Sequence, residues 1–437
     1  MSRIFTIACT LFPALISFLL SGCKPELVGP KPSAGNLNIN RYIAIGDGFT
    51  AGATNSSLEP GSFNGLYEDG QRYAFPRLIA DQFSMVHTIP FEQPVIAGNG
   101  SGFLRIESIA PTTCPADSPD PILSLINSEN GWKTPYSAPK LLNNLGIHQL
   151  KASQVLPDSA VFANPFFTRI SPVGSSYLSL IKDSRPGFFT LWLGTTDFLN
   201  FAMKGAAYPG AGPADSGDFA SAFSELLGQI TADNPEAKGV IGNIPDVTLF
   251  PYFRHVKHVY INREKCKGSV FPIYISTNTG IRIATESDCI LLPAKDKIGT
   301  DYGGGISFGL GPQNPIPNHW VLDEAEVIAV RNQIGEYNAL IREKINALNE
   351  TRETPAFAVA DINYLIGQLD RGYKEDGLEI STDYLSGGIF SLDGIYFTPR
   401  GNAVIANTFI RTINIFSSFE ASIPPINITD FSGVIFP

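Results

Sequence analysis

Basic charge is what this sequence has least to spare. Its 437 residues hold 31 Lys and Arg against 41 Asp and Glu, a net charge of −10, with no run of basic residues. Nucleic acid recognition needs a concentrated positive footprint, so that class of partner is set aside. Histidine and cysteine are equally sparse, five of each, and no two cysteines share the Cys-x-x-Cys spacing of a structural zinc site. Nothing calls for a metal or another cofactor. Past the leader, no apolar stretch is long enough to cross a bilayer. What is present is ordinary globular material: 43% apolar and 11% aromatic residues can bury a sizeable core. The length allows one large domain or two ordinary ones, and no internal repeat divides it.

The first 23 residues read as a targeting segment. Arg3 supplies a positive start, and Ile4 to Leu20 an apolar run too short and too N-terminal for a spanning helix. Leu20-Ser21-Gly22-Cys23 then places small residues directly before a cysteine. That ending resembles a lipobox, in which the Cys23 thiol is acylated and becomes the mature N-terminus. The alternative is a plain signal peptide that contains Cys23. The lipobox reading predicts a lipoprotein anchored in the cell envelope of a Gram-negative bacterium, at the outer membrane, periplasmic or surface-exposed. Lys24 to Asn40, rich in Pro, Gly, Asn and Lys, is expected to be a flexible tether, and 41–437 a single domain. Cys114, Cys266 and Cys289 remain in that domain. An oxidising compartment permits one disulfide, and Cys266–Cys289 is the nearer pair.

Short apolar runs alternate with helical patterns. Tyr42 to Ile45, Phe188 to Leu193, Val240-Ile241 and Phe357 to Ala360 each stop at a glycine or a polar residue, as buried strands do when the loops at their carboxyl ends carry a site. Between them, Val327, Val330, Ile334, Tyr337, Ile341, Ile345 and Leu348 recur at steps of three and four behind an Asp323/Glu326 capping box. Phe219 to Ala232 and a segment opening at Thr398-Pro399 are further helices. The alternation predicts an α/β fold with a mostly parallel sheet. Residues 104–160 and 254–312 break it and are expected to be loop-rich insertions over the site face.

Four segments carry a resemblance. Ile45-Gly46-Asp47-Gly48 opens the domain, and Asn144 to Gln149, with Gly146 inside it, forms a second block. Leu193-Gly194-Thr195-Thr196-Asp197 and Leu392-Asp393-Gly394-Ile395-Tyr396-Phe397-Thr398-Pro399-Arg400-Gly401 form two more. In order and spacing they are similar to the blocks of the SGNH (GDSL-type) hydrolase family, and Asn243 to Thr248 with Pro251-Tyr252-Phe253 resembles a lipoprotein branch of it. The resemblance implies a three-layer α/β/α sandwich, flavodoxin-like. It also implies a Ser–His–Asp machine in which a serine attacks an ester carbonyl, with Gly and Asn donors holding the oxyanion.

At the family's four catalytic positions this chain reads Gly48, Gln149, Thr196 and Tyr396, while Asp47, Asp197 and Asp393 are kept. Glycine cannot attack, and a phenol is a poor proton acceptor near neutrality. Asp393 would have no histidine to orient. The expectation is therefore a catalytically inactive pseudo-hydrolase that binds a glycan, an acylated sugar or a peptide. The alternatives are an ester hydrolase using non-standard residues and a structural partner in an envelope complex. Two other groupings form no complete machine: Ser101 sits in Gly98-Asn99-Gly100-Ser101-Gly102 without the spacing of a nucleophile elbow, and His255 and His258 near Cys266 read as a solvated loop before a metal site.

Overall fold

The computed structural model describes residues 31–110, 120–128, 131–137, 141–156, 163–171, 174–205, 215–262, 268–301 and 305–436. Cys23, Cys114 and Cys266 lie outside them. Pro32–Pro437 forms one compact unit, and the hydrophobic core of the described residues lies within it.

The centre is a five-stranded sheet of β1 (Tyr42–Gly46), β2 (Asn144–Gly146), β3 (Phe188–Trp192), β4 (Lys238–Gly242) and β5 (Phe357–Ala360). All pairings are parallel and the order is β2-β1-β3-β4-β5. Parallel strands covered on both faces bury every side chain, which is why they stand out in sequence as unbroken apolar runs. β2 escapes that reading. It is three residues long, and Asn144 is polar because its Oδ1 accepts from Gly146 N and its Nδ2 donates to Thr50 O. The chain order reverses across β1, so a crevice opens at the carboxyl ends of β1 and β3, where such sheets hold their ligands.

The helices that matter are α1 (Gly48–Ala51), α2 (Phe75–Val86), α3 (Tyr177–Ser184), α4 (Thr195–Ala202), α5 (Ser216–Asp233), α6 (Glu324–Glu350), α7 (Ile362–Asp370) and α8 (Pro399–Ile415). They form two layers. α2 packs on α8, with Phe75 stacked on Phe409 at 5.1 Å between ring centres. α3, α5 and α6 pack together, with Phe219 on Tyr337 at 4.4 Å. Caps fix where these helices start: the Asp323/Glu326 box opens α6, Thr398 with Pro399 behind it opens α8, and Asp215 caps α5. On α6, buried Asn338 turns inward and holds both N and O of Ile244, pinning the loop after β4.

Four expectations are corrected. The tether is shorter than the stretch to Asn40: Ser33 pairs with Ser422 and buried Leu37 and Ile39 join the core, because that segment alternates apolar residues the domain can cover. The segment 104–160 is not one insertion, since it contains β2; what projects is an antiparallel hairpin of Phe103–Ala110 and Asp120–Ile126. The segment 254–312 continues to Val321 and folds around its own small core of residues such as Ile273, Ile275, Phe308 and Ile316. Finally, Cys289 is a buried free thiol rather than half of a bridge; its suggested partner Cys266 lies outside the described residues.

Candidate active site

The turn after β1 is tied to the turn after β3. Asp47 is buried and caps α1, its Oδ1 accepting from Phe49 N at 3.1 Å. Its Oδ2 accepts from Thr196 N at 3.1 Å and from the Thr196 hydroxyl at 2.8 Å. Burial pushes the Asp47 carboxyl up to about 6, against the lowering pull of those hydrogen bonds. Thr196, standing where an oxyanion-binding Asn is expected, therefore donates to Asp47 and not toward the crevice.

Gly48 begins α1, and the space beside it is full. A Cβ placed there would lie 2.7 Å from His148 Nδ1 and 2.8 Å from the Tyr396 hydroxyl, inside van der Waals contact. The two rings come from different chain ends of the sheet, His148 from just after β2 and Tyr396 from just before α8, and both are buried. They are joined: the Tyr396 hydroxyl and His148 Nδ1 are 3.3 Å apart, and His148 Nε2 is 2.9 Å from Asn64 O. A carbonyl only accepts, so Nε2 carries the proton and Nδ1 accepts from the phenol. Burial lowers the imidazole to about 4 and raises the Tyr396 phenol well above its usual range. The histidine is thus neutral near pH 7, and the phenol has no basic form there.

Asp393 has a different employment from the expected one. It holds the loop that roofs the crevice: Oδ2 accepts from Ser56 N at 2.6 Å, and Oδ1 accepts from Ser391 Oγ, Ile395 N and Tyr396 N. Gln149 sits at φ 62°, the left-handed region that favours glycine, which agrees with its place in a glycine-bearing block. Its Nε2 donates to Ser62 O at 3.0 Å. The roof is therefore the loop from Thr54 to Leu66, buttressed from behind by the hairpin, where Tyr67 stacks on Phe103 at 4.0 Å and Leu104 N donates to Asn55 O. Among the described residues, none of the second insertion lines the crevice.

What remains open is small at the centre and larger outside it. Ser56, Gln149, Thr196, Leu199 and Tyr396 are among the residues around a cavity of about 20 Å³. Beyond Gln149 a groove of about 260 Å³ runs past Phe63, Lys151, Gln154, Asn164, Asn200 and Lys204. Asp197 points away from both. Its Oδ2 accepts from Ala152 N at 3.0 Å, its Oδ1 has no partner among the described residues, and burial pushes it up to about 7.

The structure thus gathers Gly48, Gln149, Thr196 and Tyr396 with Asp47 and Asp393 at one crevice, and places Gly146 in β2 against α1. Sequence reasoning passed over His148, although it lies inside the second block beside Gln149. The available signal was its being a histidine next to a site glycine position. Ser101 is structural, its hydroxyl bonded to Leu66 N and O, and the His255 ring lies 4.7 Å from that of Tyr384. Among the described residues no three His, Cys, Asp or Glu are grouped to hold a metal ion.

A parallel sheet in this order, with a Gly-Asp turn after β1 and an Asp-Gly loop before the last helix, is the frame of an α/β hydrolytic enzyme class. The family model for GDSL-like lipases and acylhydrolases matches residues 42–409, and the chain belongs to that family. Among solved structures, an extracellular lipase from Streptomyces rimosus aligns over 83% of this chain and 94% of its own, at 12% identity and a TM-score of 0.31. No curated protein matches the sequence.

Two outcomes follow from this geometry. Gly48→Ala should destabilise the fold by about 1–3 kcal/mol through overpacking. Adding Tyr396→Phe, which removes the oxygen 2.8 Å from the new methyl group, should recover part of the loss. Additive losses in urea denaturation would count against the contact. The second outcome concerns Asp197, whose folded pKa of about 7 lies above its ordinary 3.8. Its protonated form favours the fold, and that advantage is present at low pH and lost as pH rises toward 7. Relative to Asp197→Asn, the unsubstituted protein should therefore lose stability from about pH 4 to about pH 7 and then level off. A difference independent of pH in the same assay would contradict the assignment.

Proposed function

We propose that this protein is a lipid-anchored envelope protein that keeps the GDSL-hydrolase frame without its hydrolytic chemistry and holds a glycan, an acylated sugar or a peptide in the groove beside Gln149. One observation carries the reading: the room for a nucleophile side chain at position 48 is taken by the hydrogen-bonded rings of His148 and Tyr396. The chemistry around it agrees. Position 48 offers no nucleophile, the Tyr396 phenol cannot take a proton near neutrality, and the Thr196 hydroxyl is committed to Asp47. The central cavity of about 20 Å³ has room for about one water. An acyl group needs more. The groove outside it supports binding of a polar ligand, with the amides of Gln149, Gln154 and Asn200, the ammonium groups of Lys151 and Lys204, and the Phe63 ring as an apolar platform. The anchor rests on the Leu20 to Cys23 motif alone.

The purified protein should give no turnover of p-nitrophenyl acetate, and Gly48→Ser should stay at background, because catalytic groups in such triads act as a unit. Tyr396→His added to it supplies a base beside Asp393 and should be the first change to raise the rate. Turnover by the unsubstituted protein, abolished by a substitution in this crevice, would replace the proposal with an esterase. For the anchor, the intact mass of the mature protein should be that of a chain starting at an acylated Cys23; an unmodified terminus elsewhere would remove the lipid.

A further inference from the structure

The groove beyond Gln149 carries a charge opposite to that of the molecule. Its described lining residues include two lysines, Lys151 and Lys204, and no Asp or Glu, in a chain of net charge −10. The two come from different elements. Lys151 stands just before the turn Ala152–Val155 that follows β2, and Lys204 lies just past the end of α4. Lys151 is exposed and Lys204 half-buried, and neither ammonium group has an ion-pair partner among the described residues. Two carboxyl groups come near without entering. Asp197 is buried, does not line the groove, and turns its Oδ2 to Ala152 N; Glu59 lines only the inner cavity. A cleft lined by one sign of charge focuses its field on a counter-ion, so the groove favours an anionic group.

The other lining residues narrow the class of molecule that carries it. Gln149 donates from Nε2 to Ser62 O, which leaves its Oε1 to accept, and the Asn200 carboxamide has no hydrogen-bond partner among the described residues. Phe63 is 39% exposed, and its ring is backed by that of Phe166 at 5.8 Å between centres. Amides that both donate and accept suit hydroxyl groups, and an exposed ring held from behind suits the apolar face of a sugar. None of the lining residues belongs to a strand, so an extended peptide would find no backbone ladder to join. Phe63 and Ala163 are the apolar side chains of the lining, too few to cover an acyl chain. The volume of about 260 Å³ falls just short of the roughly 300–1,000 Å³ of drug-sized sites, so it suits one unit of a longer glycan.

We propose that the groove selects an acidic glycan, taking one sugar unit whose carboxylate or phosphate meets the Lys151 and Lys204 ammonium groups, whose hydroxyls meet Gln149 and Asn200, and whose apolar face lies on Phe63. This rests on the reading of the groove as the ligand site and fixes the charge and class of the ligand. Isothermal titration of the full chain, purified in detergent, tests it with four probes: trigalacturonate, mannose 6-phosphate, maltotriose and triglutamate. Trigalacturonate or mannose 6-phosphate should bind at least about tenfold more tightly than maltotriose and triglutamate, and which of the two binds tells carboxylate from phosphate. Lys151→Gln and Lys204→Gln should each weaken that binding about tenfold. Phe63→Ala should weaken it about fivefold. Lys151 and Phe63 are exposed, so the thermal melting of their variants should match that of the unsubstituted protein, which separates a lost contact from a lost fold. Maltotriose binding as tightly as the acidic sugars, or triglutamate doing so, would overturn the proposal while leaving the groove a ligand site. Binding indifferent to both lysines, or no binding of any probe, would overturn it as well. Turnover of p-nitrophenyl acetate in the crevice is the separate result that removes the inactive-hydrolase reading.

Discussion

The buried carboxylate of Asp47 is the constraint on which the crevice depends. It accepts from Phe49 on its own turn and from Thr196 on the turn after β3, so it fixes the two adjacent strand ends across which the chain order reverses. A carboxyl group this deep costs free energy unless each oxygen is occupied, and here each oxygen is. Everything at the crevice hangs from that tie: α1 starts on one side of it, α4 on the other, and Gly48 is the first residue past it. With the turn held, the rings of His148 and Tyr396 find a fixed wall to close against, and the Asn64 carbonyl sets the imidazole tautomer from the far side.

The roof follows the same logic of occupied acceptors. Asp393 takes four donors, one of them Ser56 N on the loop above the crevice, and Gln149 reaches to Ser62 O on the same loop. In an active member of this family the corresponding carboxylate orients a histidine; here it holds backbone. The retention of Asp47, Asp197 and Asp393 with loss of the other groups is therefore consistent with carboxylates that serve the fold, since each is buried and bonded to main-chain donors.

Most of the frame was legible in the sequence because its signals are local. Four of the five strands are apolar runs ended by glycine or a polar residue, and α6 and α8 announce themselves by caps at Asp323 and Thr398. β2 was not legible as a strand, since a three-residue edge with Asn144 in it has no periodicity to read. The four altered site positions could be named from the motif, and they do meet at one crevice. What filled that crevice could not be named. The pairing of His148 with Tyr396 spans 248 residues of chain and is set by how two loops converge, which no pattern in either loop encodes. The roof was placed on the wrong segments for a related reason. Proline, serine and asparagine content marks 104–160, and a glycine run marks 254–312, as loop-rich, but neither says which way the stretch leans, and the loop that covers the crevice lies at 54–66, before either of them.

The lengths of the strands have a consequence of their own. The two outermost members of the sheet are its shortest, three residues in β2 and four in β5, against five in each of the inner strands. An outer strand offers unpaired N–H and C=O groups as a template on which another chain can extend the ladder. Rungs this few give an incoming strand little to grip. The strongly apolar central sheet thereby presents little edge on which a second copy could extend it.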